Sequence, residues 1–83
     1  MDVLAYVLIT LNPGTEKAIL EKISYFKEVT EVGMMYGEYD AILKVQTRDL
    51  ERLNQFLTDK LRVLPDIFQT ATLIVAKQYR SQK

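Results

Sequence analysis

The chain has 83 residues, of which 48 % are hydrophobic, and its eleven basic and eleven acidic side chains give a net charge of zero. This length suits one compact domain, which buries only about 60 % of the surface of its unfolded chain and therefore gains from association. The neutral balance argues against nucleic acid as the main partner, and the lack of Cys and His excludes Cys/His metal centres, thiol redox chemistry and catalysis with a histidine base.

The first predicted strand covers Leu4 to Leu11, which are mostly aliphatic and end at the turn Asn12-Pro13-Gly14. An amphipathic helix follows from an N-cap at Thr15 to about Phe26, with Ile19, Ile23 and Phe26 on one face. The opening apolar run is too short to span a membrane and no positively charged segment precedes it. The sequence therefore predicts a cytoplasmic protein with no membrane contact.

Two further strands are predicted on either side of a glycine turn, over residues 29–36 and 39–46. Gly37 and Glu38 separate them, and a two-residue loop with Gly first predicts a type II′ hairpin in which Gly37 has a positive φ. The two strands are therefore expected to be antiparallel neighbours.

A second helix gives the strongest secondary-structure signal. It is expected to begin at an N-cap on Thr47 and to stop at Pro65, and five leucines lie at helical spacing on one face: Leu50, Leu53, Leu57, Leu61 and Leu64. The last predicted strand runs from Ile67 to Lys77, with Thr70 and Thr72 on one face. The order βαββαβ predicts an α+β, ferredoxin-like fold with a four-stranded antiparallel sheet.

Both faces of the predicted sheet are apolar. In the first strand Val7 and Ile9 point one way while Tyr6 and Leu8 point the other, and the last strand repeats this pattern. A half-exposed antiparallel sheet alternates apolar with polar residues, and right-handed crossovers place both helices on one face. The second face therefore predicts a homodimer, an α/β sandwich with two sheets packed face to face.

The segment Gly37-Glu38-Tyr39-Asp40 contains the first candidate for ligand binding. Asp is depleted in strands, and burying an unpaired carboxylate costs free energy. Asp40 either accepts hydrogen bonds from nearby backbone N–H groups or binds a ligand, and spacing alone favours neither role. Thr70 and Thr72 offer hydroxyls and Met34 an adaptable apolar side chain, although these residue types are also ordinary in strands and cores.

Catalytic residues, metal ligands and cofactors are not predicted. The sequence has no convincing acid and base pair, no Ser-His arrangement and no glycine-rich phosphate loop. A binding module is therefore favoured over an enzyme. One domain is expected over residues 1–77, and residues 78–83 are expected to form a flexible tail.

Four segments carry a resemblance to a known family: AYVLITLNPG at the start, VGMMYGEYDAILKV around the turn, RDLERLNQFLTDKLRVLP in the second helix and TATLIV near the end. They span almost the whole chain. The chain closely resembles the effector-binding domain of the leucine-responsive regulatory protein/AsnC family, also called the RAM domain (regulation of amino acid metabolism). Family members usually carry an N-terminal helix-turn-helix domain, whereas this chain begins directly at the first predicted strand. A stand-alone RAM protein that does not itself bind DNA is therefore expected.

The resemblance implies a non-catalytic module that binds a free amino acid and is linked to transcriptional regulation of amino acid metabolism. Dimers are expected to assemble into octamers or decamers with effectors between neighbouring dimers, and mixed assemblies with full-length regulators are a further expectation. The implied effector contacts are Gly37, Tyr39, Asp40, Thr70 and Thr72, with Leu73 and Ile74 as apolar neighbours. Met34 is expected to complete the apolar wall.

Two alternatives remain open. A small dimeric α+β-barrel enzyme of the monooxygenase or isomerase type shares the βαββαβ dimer design, although the lack of His and of an acid and base pair weighs against it. A purely structural or partner-binding oligomer needs no small ligand. A measurement of amino-acid binding distinguishes the expected amino-acid-binding module from the enzyme and from the structural oligomer.

Overall fold

The strands and helices follow the predicted order. The structure is a computed structural model that describes residues 2–82, so Met1 and Lys83, at the ends of the predicted domain and tail, lie outside it. Its elements are β1 (Val3–Leu11), α1 (Glu16–Ser24), β2 (Val29–Met34), β3 (Ala41–Thr47), α2 (Leu50–Gln55), a π-helical continuation of α2 (Phe56–Leu61) and β4 (Ile67–Ile74).

The four strands form one antiparallel sheet in the order β2-β3-β1-β4. The two middle strands pair from Val3 with Thr47 to Ile9 with Ala41, and β4 pairs along the other side of β1. This arrangement confirms the α+β, ferredoxin-like fold. Because β2 and β4 are the two edges, two strands separate any residue of β2 from β4.

The helices cover one face of the sheet, which we call the helix face. Ala5, Val7 and Ile9 of β1 point to this face and have no exposed surface. Both helices contribute to the same core, with Ile19, Leu20 and Ile23 from α1 and Leu53, Phe56, Leu57 and Leu61 from the second helix. The rings of Phe26 and Phe56 meet edge to face, with centroids 5.8 Å apart. The helix face therefore forms the hydrophobic core.

The second helix begins two residues later than predicted. Asp49, not Thr47, is its N-cap, and one Asp49 carboxylate oxygen accepts a hydrogen bond of 2.9 Å from the backbone N–H of Arg52. Thr47 is instead the last residue of β3, where it pairs with Val3 and donates its hydroxyl to the carbonyl of Asp49. Leu50 is 54 % exposed, so the apolar face predicted for the helix begins only at Leu53.

The connection between β2 and β3 is longer than a two-residue hairpin. β2 ends at Met34 and β3 begins at Ala41, so the predicted type II′ turn at Gly37 and Glu38 is wrong. Residues 35–40 form a six-residue loop, which we call the 35–40 loop. At its base the carbonyl of Asp40 accepts from the N–H of Met35, while the N–H of Asp40 donates to Ile9 of β1. Gly37 does have the expected positive φ, of 136°.

The opposite face of the sheet, which we call the open face, has no helix over it in the described part of the chain. Two rows of side chains cross it in register, Gly33-Ile42-Leu8-Ala71 and Glu31-Lys44-Tyr6-Leu73. Most of these residues are half-buried, but Leu73 is 58 % exposed. The second face is thus apolar on β1 and β4, as the sequence indicates, with the ion pair of Glu31 and Lys44 on β2 and β3. The partner copy expected on it remains a prediction.

β4 ends earlier than the predicted strand, at Ile74. The backbone N–H of Val75 still donates to the carbonyl of Leu4 at 2.9 Å, and residues 76–82 form no helix or strand. The domain boundary at residue 77 and the flexible tail remain predictions. Among residues 2–82, no helix is long and apolar enough to cross a membrane.

Candidate functional site

Asp40 lies directly before β3, where the 35–40 loop meets the end of β1. Its carboxylate oxygen Oδ2 accepts a hydrogen bond of 2.7 Å from the backbone N–H of Leu11. Its backbone N–H donates to the carbonyl of Ile9 and its carbonyl accepts from Met35, each at 2.9 Å. Among residues 2–82, the second carboxylate oxygen, Oδ1, has no hydrogen-bond donor. Asp40 therefore has a structural role that uses only one of its two carboxylate oxygens.

The local strand pairing explains why a carboxylate is needed at this position. The Ile9–Ala41 pair is the last in the β1–β3 ladder, and the register between β1 and β4 shifts between Thr10 and Leu11. The N–H of Leu11 thus lies beyond the β1–β3 ladder, and Leu11 pairs with Ile67 of β4 only after the register shift. Because a buried N–H without an acceptor is costly, the side chain of Asp40 replaces the missing strand carbonyl.

Gly37 and Tyr39 lie in the 35–40 loop with Asp40. Gly37 is exposed, and its φ of 136° lies in a region that glycine adopts far more readily than other residues. Tyr39 is half-buried beside Asp40. These three predicted contacts are therefore grouped at one end of the sheet, as the sequence pattern indicates.

The predicted contacts on β4 are divided between the two faces of the sheet. Thr70, Thr72 and Ile74 are in register with Ile9, Val7 and Ala5, so they lie on the helix face. Leu73 is in register with Tyr6 and lies on the open face. Leu73 and Ile74 therefore do not line a single wall within one chain.

Two threonine hydroxyls on opposite faces of the sheet are buried without a partner in the described residues. Within the described residues, neither Thr72 Oγ1 nor Thr10 Oγ1 has a hydrogen-bond partner. Buried hydroxyls are usually hydrogen-bonded, because leaving one unpaired costs free energy. Thr72 was selected from the sequence, whereas Thr10 was not, since a threonine in a strand is ordinary.

Met34 lies at the opposite edge of the sheet from the β4 threonines. It pairs with Ala41, which pairs with Ile9, which pairs with Thr70, so these four residues form one row across the sheet. Adjacent strands are about 4.8 Å apart, which places Met34 and Thr70 about 14 Å from each other along the row. Met34 is also 69 % exposed. One chain does not bring the whole predicted site together.

A groove that the sequence did not reveal opens at the other end of the sheet, about 20 Å along β3 from Ala41. It has a volume of about 820 Å³. Mostly charged and polar side chains from the start of the chain, the α1–β2 connection, β2, the end of β3 and the second helix line it: Asp2, Lys27, Glu28, Thr30, Gln46, Thr47, Arg48, Arg52, Gln55, Phe56, Asp59 and Lys60. No local sequence pattern indicates it, because its lining comes from separate elements of the chain.

An ion pair supports one wall of this groove. The ammonium of Lys60 donates to both carboxylate oxygens of Glu28, at 3.0 and 2.9 Å, and lies 5.9 Å from the centre of the Phe26 ring. Burial raises the pKa of Glu28, but the bonds from Lys60 and from its own backbone N–H outweigh this effect and hold the pKa below its ordinary value. Glu28 is therefore ionised near neutral pH and bonded to Lys60.

The cap of the second helix provides a second ion pair beside the groove. The backbone N–H of Arg52 and then its guanidinium lower the pKa of Asp49. Since Arg52 and Lys60 are both paired, the groove has charges of both signs rather than a strong positive field. Residues 2–82 contain no group of three or more side chains that suits a metal ion.

The chain is similar to a known domain family and to several curated proteins. The model of the Lrp/AsnC ligand binding domain matches residues 4–83. A curated relative, the HTH-type transcriptional regulator FL11 of Pyrococcus horikoshii, is 31 % identical over 95 % of this chain and 52 % of its own length. The chain spans about half the length of the curated relatives that it matches.

Solved structures show the same fold. The hypothetical protein PHS023 from Pyrococcus horikoshii is 38 % identical, with a TM-score of 0.86 over 98 % of both chains. AsnC of E. coli is 28 % identical, with a TM-score of 0.90 over 98 % of this chain and 55 % of that chain. The chain thus belongs to the Lrp/AsnC ligand-binding domain family.

Proposed function

We propose that this ligand-binding domain is a non-catalytic receptor for a free amino acid, and that ligand binding regulates its assembly and, through it, transcription. The observation that carries the proposal is the state of Asp40, which uses Oδ2 for Leu11 and has Oδ1 without a donor in the described residues. The curated relatives are transcriptional regulators. A cytoplasmic location is part of the proposal.

The chemistry of an amino acid matches the groups at this end of the sheet. Its ammonium is a donor for Oδ1 of Asp40, in a charge-assisted hydrogen bond that is stronger than a neutral one. Its carboxylate needs donors, which the exposed backbone at Gly37 and the hydroxyls of Thr70 and Thr72 supply. Its side chain needs an apolar wall, for which Met34, Leu73 and Ile74 are the candidates.

The separation of these groups supports a site shared between copies. Met34 and Thr70 lie at opposite edges of one sheet, about 14 Å apart, which is more than a free amino acid spans. A second copy that presents its own β4 to the 35–40 loop completes the set. We therefore propose that dimers form through the open face and that the ligand binds where dimers meet, in octamers, decamers or mixed assemblies with full-length regulators.

Shared sites couple ligand binding to assembly. If the assembled form binds the amino acid more tightly, the ligand shifts the equilibrium towards assembly by the same free energy with which assembly raises affinity. The family's action as regulators needs only such a shift. Catalysis is not required by any of these contacts.

A thermal-unfolding screen with the twenty amino acids tests the proposal. A ligand at 100 times its dissociation constant stabilises the protein by about 2.7 kcal/mol, and each kcal/mol raises Tm by about 4–8 °C in a domain of this size. The best ligand is then titrated by calorimetry and its effect on mass is followed by light scattering. No shift with any amino acid would contradict the proposal.

Two variants separate the two possible binding regions in that experiment. Asp40→Asn changes the 35–40 loop end, and Arg48→Ala changes the groove at the other end of the sheet. Loss of affinity in Asp40→Asn and not in Arg48→Ala supports the proposed site. The reverse result would assign the ligand to the groove.

A further inference from the structure

The open face has a hollow at one edge and a projecting side chain at the other. The hollow lies between β2 and β3, has a volume of about 250 Å³ and is lined by Tyr6, Glu31, Val32, Gly33, Ile42 and Lys44. It exists because Gly33 has no side chain in the row where Ile42, Leu8 and Ala71 have theirs. At the other edge, Leu73 of β4 is 58 % exposed.

The hollow and Leu73 lie at the same level along the strands. Leu73 is in register with Tyr6, Tyr6 with Lys44, and Lys44 with Glu31. Tyr6, Lys44 and Glu31 all line the hollow. Within one chain, however, Leu73 is about 14 Å from β2 along this row and does not fill the hollow.

A two-fold axis parallel to the strands, between β1 and β3, brings these features together. Such an axis stacks β4 of one copy on β2 of the other. It keeps every residue at the same position along the strand direction, so residues of one row face the same row of the partner. Each Leu73 then lies over the partner's hollow, and the contact occurs twice. The same axis places Tyr6 opposite the partner's Lys44, so the tyrosine hydroxyl faces an ammonium group.

The alternative in-plane axis, across the strands, stacks β4 on β4 and β2 on β2. It leaves both hollows empty and both Leu73 side chains without a recess. Protein interfaces pack about as densely as interiors, and an unfilled void forfeits dispersion contacts. An apolar cavity of about 150 Å³ is enough to hold benzene, so this hollow accommodates a leucine side chain.

We infer that Leu73 of one copy inserts into the hollow beside Gly33 of a second copy, and that this contact fixes how the two sheets pack. The inference rests on the dimer in the proposed function and defines its geometry. Lys44 and Glu31 form an ion pair of 3.6 Å at the rim of the hollow. Their charges are therefore paired with each other where Leu73 of the second copy enters.

Cross-linking tests the inference, because the chain has no cysteine of its own. The full chain carrying both Glu31→Cys and Leu73→Cys is treated with a short bis-maleimide and separated on a denaturing gel. A covalent dimer is expected from this double variant. Neither single variant should give one, since two copies of residue 73 lie at opposite edges of the interface. Glu31 is exposed, so its replacement does not disturb the core.

A matched control uses Leu50→Cys with Leu73→Cys, because Leu50 is exposed on the second helix, away from the open face. This pair should give no covalent dimer. The native mass, measured by light scattering, separates the two proposals. A dimeric mass with no cross-link in the Glu31/Leu73 variant, or with a cross-link in Leu73→Cys alone, overturns the inferred packing and leaves the dimer intact. A monomeric mass overturns both.

Discussion

The carboxylate of Asp40 and the backbone N–H of Leu11 form a hydrogen bond of 2.7 Å that joins the 35–40 loop to the last residue of β1. The two residues are 29 positions apart in the chain. The sequence left two roles open for Asp40, and this bond shows that Asp40 has the first of them, which is to accept a hydrogen bond from a nearby backbone N–H. It does not exclude the other role, because it occupies only Oδ2.

The first prediction separates these two roles of Asp40. Asp40→Ala leaves the Leu11 N–H without its acceptor and should lower the free energy of unfolding by about 1–2 kcal/mol. Asp40→Asn keeps an oxygen acceptor and should stay close to the wild type in urea unfolding. If the charge binds a ligand ammonium, the same Asn variant should lose about tenfold or more in affinity by calorimetry. Unchanged affinity in Asp40→Asn would remove the carboxylate from the binding site.

The second prediction concerns the buried hydroxyl of Thr72. Thr72→Val keeps the side-chain shape and removes a hydroxyl that has no partner within residues 2–82, so the unliganded protein should be more stable by about 1 kcal/mol. If that hydroxyl contacts a ligand, the stabilised variant should bind more weakly. Thr70→Val is the control, and its stability should change less. A Thr72→Val protein that is less stable than the wild type would show that the hydroxyl already has a favourable contact.

The third prediction concerns the apolar open face. Leu8 is half-buried at its centre, in register with Ile42 and Ala71. Leu8→Lys places a charge in the proposed interface and should give a monomer by light scattering at a concentration where the wild type is a dimer. Leu50→Lys, at an exposed leucine of the second helix, should leave the mass unchanged. A dimeric Leu8→Lys protein would mean that another surface joins the copies.

The fourth prediction concerns pH and the Glu28–Lys60 pair. Folding lowers the pKa of Glu28, so its ionised form stabilises the fold above the unfolded pKa, and this contribution disappears as the pH falls through the folded pKa. Glu28→Gln should therefore destabilise the protein at pH 7, by about 1 kcal/mol for a partly exposed pair. The difference from the wild type should shrink below about pH 4.

Urea unfolding at a series of pH values measures this effect. Glu21→Gln, at an exposed carboxylate of α1, serves as the control and should give a small, nearly constant difference. A Glu28→Gln difference that persists unchanged at low pH would show that packing, and not charge, gives Glu28 its contribution.

Periodicity in the sequence predicted most of the fold. Ile19 and Ile23 in α1, and the leucines from Leu53 onward in the second helix, face the core because a helix repeats every 3.6 residues whatever lies next to it. The residues at which the elements begin and end were predicted less accurately. Thr47 and Asp49 are both good helix caps, and only the pairing of Thr47 with Val3 in the sheet decides between them.

The candidate site was only partly predictable for a similar reason. Gly37, Tyr39 and Asp40 are close in sequence, so they are necessarily close in space. Whether Met34 lies near Thr70 depends on the strand order, which places β3 and β1 between them. The groove at the other end combines the α1–β2 connection, β2, β3 and the second helix, and no local pattern reveals such a combination.

The sequence by itself determined the order of elements, the two apolar faces of the sheet and the family, because these depend on residue type and spacing along the chain. Only the tertiary structure decided that the hairpin opens into the 35–40 loop, that Asp40 bonds to Leu11, and that Leu73 and the hollow at Gly33 share one level on the open face. Each of these depends on the register between strands that are distant in sequence. Register is set by the packing of the whole sheet against its helices, which the residues of a single strand do not specify.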